Sequence, residues 1–279
     1  MAKCRESADN GNIANRCGDH AMTDEVQITQ TGGVVEIMFN RISKKNALNL
    51  AMYEAMAGEL NAAAENPEVR AVLFWGAGKY FSSGNDLKDF TAVLAAPKAL
   101  IEGDNAIVRF LTALERFPKP AVAAVEGSAV GVGTTLLLHC DLVYSAKDAE
   151  FSLPFANLGL RPENASSYLL PKLVGHPRAA EWLLLGEAFD ASDAEAAGLV
   201  NRLVDDPVAY AREQCEKLCR QPPKAMIETK ALLKAADRKQ VATSFGEEML
   251  SFTDALNSAE FAEAVAAFFE KRPADFSKL

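Results

Sequence analysis

The apolar and β-branched residues of 26–29 and 34–40 form two short β-type runs on either side of Gly32-Gly33, which is a hairpin signal. Residues 50–65 switch to helical periodicity in a stretch rich in Ala, Met, Leu and Glu. The run RAVLFW at 70–75 is instead continuously apolar, as expected of a strand buried on both faces. A glycine- and serine-rich loop over 76–85 leads into a helical segment, and 106–117 predicts a further helix that Pro118 ends. Residues 121–125 predict a second buried strand, 134–139 a short helix and 142–145 a third strand. This alternation predicts an α/β core with largely parallel strands. From Arg178 onward the pattern is nearly all helical, and SAEFAEAVAAFFEK at 258–271 is amphipathic, with Phe261, Val265 and Phe268 on one face. Three regions are expected: a disordered leader over 1–21 with Met22 as the natural start, a core domain over 22–205, and a helical region over 206–279.

Composition narrows the function. The 279 residues are 49% hydrophobic and 24% charged, enough apolar matter to offset chain entropy over most of the length. Lys and Arg number 29 against 38 Asp and Glu, a net charge of −9. Such a chain lacks the basic face that nucleic acids and anionic membranes require. The most membrane-like run, 121–140, contains Glu126 and is better read as strand, glycine turn and short helix than as a span. Cys4, Cys17, Cys140, Cys215 and Cys219 form no disulfide or zinc spacing, which predicts reduced thiols. His20, His139 and His176 are scattered, so no metal site is expected.

Three segments could carry chemistry. RISKKNALN at 41–49 gathers Arg41, Lys44 and Lys45 in an otherwise acidic chain, and such a cluster can hold a phosphate; taken alone, a solvated loop is the better reading. YFSSGNDLKDF at 80–90 follows a buried strand and leads into a helix, which leaves backbone amides near Asn85 unpaired. EGSAVGVGTT at 126–135 brings Gly127, Gly131 and Gly133 to a turn where a ligand can approach the main chain. Two such loops facing one another would supply the pair of donors of an oxyanion hole.

Together the segments resemble the crotonase (enoyl-CoA hydratase/isomerase) superfamily over about residues 24–275. The resemblance rests on NALN at 46–49, FSSGNDL at 81–87, KPAVAAVEGSAVGVG at 119–133, CDLVYS at 140–145, FSLPFANLGLRPENASSYLLPKLVG at 151–175, AFDASDAEAAGLVNRLV at 188–204 and the tail FFEKRPADF, all in order. It implies a spiral of strand-strand-helix repeats followed by a C-terminal helical trimerisation region, giving a homotrimer or a dimer of trimers. It also implies an acyl-CoA thioester as substrate, with no cofactor beyond the substrate's own coenzyme A. The thioester oxygen would sit between the amides of Asn85 and Val132. Backbone around Ala47 and Ser83 would meet the adenine and Lys45 the phosphates, with Asp86, Leu87, Gly131, Phe155 and Leu158 completing the substrate site.

Hydratases of this superfamily use two glutamates, whose positions fall here at Thr135 and Phe155. Neither residue can perform acid–base catalysis on water at neutral pH. The remaining carboxyl in the segment is Glu163, within RPENASS, and it resembles the single glutamate of the Δ3,Δ2-enoyl-CoA isomerases. The resemblance therefore implies an isomerase that moves a double bond from C3 to C2, with a hydratase or other lyase, or a non-catalytic acyl-CoA binder, as alternatives. The ending Ser277-Lys278-Leu279 matches a peroxisomal address. The alanine-rich composition points instead to bacterial cytoplasm, which is the expected location.

Overall fold

A computed structural model describes residues 24–87 and 105–279. The expected leader, with Cys4, Cys17 and His20, lies outside the described residues, as does most of the helical segment expected after Asn85. Strands β1 (Val26–Thr31) and β2 (Val34–Phe39) form the predicted hairpin, with Thr31 opposite Val34 across the Gly32-Gly33 turn. Helix α1 (Leu50–Glu65) follows; Asn49 caps it, its side chain accepting from the Met52 amide at 2.9 Å. Strand β3 (Ala71–Gly76) pairs parallel with β2, and after helix α2 (Ala106–Arg116) strand β4 (Ala121–Val125) pairs parallel with β3.

Beyond β4 the chain adds β5 (Ser128–Val130), the short helix α3 (Val132–Thr135), β6 (Leu142–Ser145) and β7 (Glu150–Ser152). Helices α4 (Ser166–Val174) and α5 (His176–Ala180) come next, then β8 (Phe189–Asp190), α6 (Ala191–Ala196) and β9 (Arg202–Leu203). Four helices close the chain: α7 (Pro207–Cys219), α8 (Pro223–Ala235), α9 (Arg238–Leu256) and α10 (Ala259–Glu270). The main sheet has the order β1-β2-β3-β4-β6-β9, and a second sheet has the order β5-β7-β8.

The second sheet corrects the sequence reading, in which the chain passed from β4 through a glycine turn directly into a helix and was nearly all helical after Arg178. Strands of two or three residues offer too few alternating positions to register as a period. They position the site nonetheless, because β5 carries the chain into the glycine turn at Gly131 and β7, paired beside it, holds the Gly131 amide through the Ser152 carbonyl.

Side chains alternate between the faces of the main sheet. Val35, Ile37, Phe39, Val72, Phe74, Ala121, Ala123 and Val125 join the principal core with α1 and α2. Val34, Ala71, Leu73, Val122, Ala124 and Tyr144 face the other way and are covered by Val208, Ala211 and Cys215 of α7. This two-sided burial is what the unbroken apolar runs of β3 and β4 predict. A polar tie joins the C-terminal helices to the sheet. Lys230 of α8 is buried, donating to the Lys119 carbonyl and to Asp141, both at 2.7 Å. Asp141 in turn accepts from the Ala121 amide at the start of β4.

Candidate active site

The first site loop is built by a buried asparagine. Asn46, in NALN, takes a left-handed backbone and is fully buried; its Oδ1 accepts from the Arg41 amide, and its Nδ2 donates to the carbonyls of Ala77 and Tyr80. The Ser82 hydroxyl donates to the Asn46 carbonyl, so the 41–49 loop is fastened to the 77–84 loop. Leu48 then bridges in parallel to Asn85: the Leu48 amide donates to the Gly84 carbonyl and the Asp86 amide to the Leu48 carbonyl. In such a bridge the central residue turns its own amide to the opposite side. Asn85 therefore presents its N–H away from Leu48.

The second loop turns at Gly131, whose φ of 54° and ψ of −117° strain any residue with a Cβ. Gly133 packs so tightly that an added Cβ would lie 3.0 Å from the Ser82 carbonyl. The two loops thus touch, and Ser82 also pairs in parallel with Ala129. The Gly131 amide donates to the Ser152 carbonyl, and the next amide, that of Val132, opens α3, where first-turn donors have no intrahelical acceptor.

These loops line one cavity of about 400 Å³. Asn85, Val132, Ala47, Ser83, Asp86, Leu87, Gly131, Phe155 and Leu158, all expected from the sequence, line it together. Two expected residues do not. The cavity takes Lys44 in place of Lys45, whose ammonium sits instead 5.5 Å from the centre of the Tyr80 ring. The reason is local: Lys45 takes a left-handed backbone after the short 3₁₀ turn, which alters its side-chain direction relative to Lys44. Glu163 is likewise not among the lining side chains; it is buried, with 1% of its surface exposed. The cavity's far side is aromatic, with Phe252, Phe268 and Phe269 joining Phe155. Phe268, placed by periodicity with Phe261 and Val265, is more than half exposed at this wall rather than packed in the core.

Sequence reasoning placed Arg41 in a phosphate-holding cluster, where the structure pairs it with carboxylates, and missed two further residues, Tyr53 and Glu248. Arg41 forks between Glu25 at 2.8 Å and Asp86 at 2.6 Å, holding the segment after Asn85. Tyr53, on the buried face of α1, donates its hydroxyl to Asn85 Oδ1 at 2.5 Å. Burial, and then the charge of Glu163, push the Tyr53 hydroxyl well above its ordinary range, so it remains a neutral donor. Glu248 of α9 is buried beside the Glu163 turn and accepts from the Ser167 amide at 2.7 Å. Nothing in the sequence distinguishes Tyr53 from a core residue or Glu248 from a helix-surface charge; only the packing of α1 and α9 does. Glu163 itself is pushed up to about 8, first by burial and then by Glu248. Its Oε1 has no partner among the described residues.

An α/β core followed by helices, with two glycine loops meeting over an apolar cavity, is a crotonase-type architecture. The family model for enoyl-CoA hydratase/isomerase matches residues 29–278, and the chain belongs to that family, with its likeness to the isomerase subgroup. It is 36% identical over 252 residues to enoyl-CoA delta isomerase 2 of Rattus norvegicus, covering 89% of this chain and 64% of that protein. The chain thus spans just under two thirds of that relative's length. It is 30% identical to 2,3-dehydroadipyl-CoA hydratase of Escherichia coli, covering 90% of this chain and 98% of that one. Among solved structures, an enoyl-CoA hydratase/isomerase from Pseudoalteromonas atlantica is 39% identical with a TM-score of 0.85, covering 90% of this chain and 99% of that chain.

Proposed function

We propose that this enzyme shifts the double bond of a 3-enoyl-CoA to C2, with Glu163 as the single proton carrier and the amides of Asn85 and Val132 as the oxyanion hole. The observation that carries the reading is the state of Glu163: a buried carboxyl, raised in proton affinity, with an oxygen that no partner among the described residues engages. The other carboxyls nearby are held, Asp86 by Arg41 and Glu248 by the Ser167 amide. At the positions where a hydratase would place its glutamates stand Thr135, buried with its hydroxyl directed at the Val132 carbonyl, and Phe155, an apolar wall of the cavity.

In this reading the acyl chain occupies the aromatic cavity, and Lys44 stands at its rim to meet the anionic part of the coenzyme. Glu163 removes a proton from C2. The electron pair delocalises onto the thioester oxygen, where two main-chain donors meet the developing charge without reorganising. The same carboxyl then returns the proton at C4, and the new double bond settles between C2 and C3. No atom is gained or lost, and the step calls for no cofactor.

Incubation with 3-hexenoyl-CoA and, separately, crotonyl-CoA tests this. Conjugation appearing in the first without change of mass supports it. A gain of one water by the second would replace it with hydration, and inertness toward both with a binding role. The exposed pairs Leu184–Leu185 and Leu232–Leu233 support self-association, and sedimentation would read whether the assembly is a trimer.

A further inference from the structure

Glu163 sits on an unusual turn. The two residues after it, Asn164 and Ala165, both take left-handed backbones, with φ of 62° and 55°, although neither is glycine. Such a pair persists only where its surroundings over-determine it. Three elements do so here. The Ser166 amide donates back to the Glu163 carbonyl at 3.1 Å, and the ring of His139 contacts the Asn164 carbonyl through Nε2 at 2.8 Å. From α9, eighty-one positions further along the chain than Ser167, Glu248 Oε1 accepts from the Ser167 amide.

Polar groups at this turn are under-satisfied to a degree found nowhere else among the described residues. Six buried side-chain atoms lack partners, and five of them are Glu163 Oε1, both amide atoms of Asn164, the Ser166 hydroxyl and Glu248 Oε2. Two carboxyls are therefore buried together, each with an oxygen uncommitted, in a pocket where an isolated charge is costly.

We propose that Glu248 is the positioning residue of Glu163: it anchors the turn through the Ser167 amide, and the two carboxyls hold one proton between them. The inference rests on the isomerase reading for its chemical purpose but not for its test. Burial raises the Glu248 carboxyl as well, and hydrogen bonds from Ser167 and from the backbone amides at Ala165 and Ser166 oppose that rise by favouring its charged form. Repulsion between the two then makes Glu163 a stronger base once ionised, and one that keeps the C2 proton until C4 is ready to receive it. The other titratable groups facing the pair are the Tyr53 hydroxyl from α1 and His139, which burial keeps neutral, with its pKa lowered to about 4. Lys230 and Lys234 of α8 act on His139 from behind.

The test begins with Glu248→Gln, which retains an acceptor for the Ser167 amide while removing the charge. In the pH profile of kcat/KM for 3-hexenoyl-CoA, the acidic limb should move down by about one pH unit, the scale at which two carboxyls titrate as a pair. Glu248→Ala loses the anchor as well, so its kcat should fall at least tenfold below that of Glu248→Gln with KM little changed. An unmoved limb in Glu248→Gln overturns the shared proton, and equal kcat in the two variants overturns the anchor. In the unmodified protein, carbon-13 NMR of the two glutamate carboxyls should show linked, two-step titrations; independent single-step curves would refute the pairing. That measurement needs no turnover, so it stands or falls apart from the isomerase assignment and from the folding of any variant.

Discussion

Replacing Glu163 by Gln should inactivate the enzyme and at the same time flatten the dependence of its stability on pH. The folded carboxyl titrates at about 8 against an ordinary value of 4.5, because burial and Glu248 disfavour its charge. Between those values the folded chain keeps a proton that the unfolded chain has released. The stabilisation is therefore complete below 4.5 and is lost as pH rises through 8. His139 runs in the opposite sense: its ordinary value is 6.5 and its folded value about 4, so its contribution is present above 6.5 and lost as pH falls toward 4. The two slopes oppose each other in mild acid, and above pH 6.5 only that of Glu163 remains of the pair. At about 1.4 kcal/mol per pH unit, the interval from 6.5 to 8 amounts to a loss of about 2 kcal/mol. Urea unfolding at pH 6.5 and at pH 8 should show this loss in the native sequence and little of it in Glu163→Gln. Removal of a proton carrier typically costs about 10²–10⁴ in rate, which the conversion of 3-hexenoyl-CoA would read. A slope that survives the substitution, or turnover that does, would refute the assignment of the raised proton affinity to this carboxyl or of the chemistry to it.

Other substitutions probe the supports of the site. Tyr53→Phe removes the donor to Asn85 and should cost about 1 kcal/mol, roughly fivefold in kcat, with KM little altered; steady-state kinetics decides it. Gly133→Ala places a methyl 3.0 Å from the Ser82 carbonyl and should prise the two loops apart. Its kcat should fall while its circular dichroism spectrum stays native, and full activity would show the loops to be compliant. Lys230→Met strands the Asp141 carboxyl, which is only a quarter exposed, and should destabilise the fold by about 2 kcal/mol in urea titration.

Three elements were legible in the sequence to the residue: α1 because its length shows the helical repeat, and β4 and β6 because each is a compact run of apolar and β-forming residues. The glycine loops were legible for a different reason, since Gly131 and Gly133 occupy positions where a side chain would strain or collide. The strands β5, β7, β8 and β9 were not legible, being only two or three residues long. Lys44 could not be told from Lys45, because the choice depends on one left-handed residue after a short turn. Glu163 was identifiable from its motif, but its burial and its neighbour Glu248 come from tertiary packing across more than eighty residues, which no local pattern records.

The second face of the main sheet has consequences for cutting and grafting this chain. Leu73, Val122 and Ala124 are shielded by α7, a segment that lies past the point where the composition turns helical, and Lys230 bolts α8 to the start of β4. Severing the polypeptide near residue 205 would strip that shield and leave a greasy plane open to self-association. The helices therefore cannot be exchanged as an independent cassette; any chimera joined there must bring its own cover for the plane it exposes.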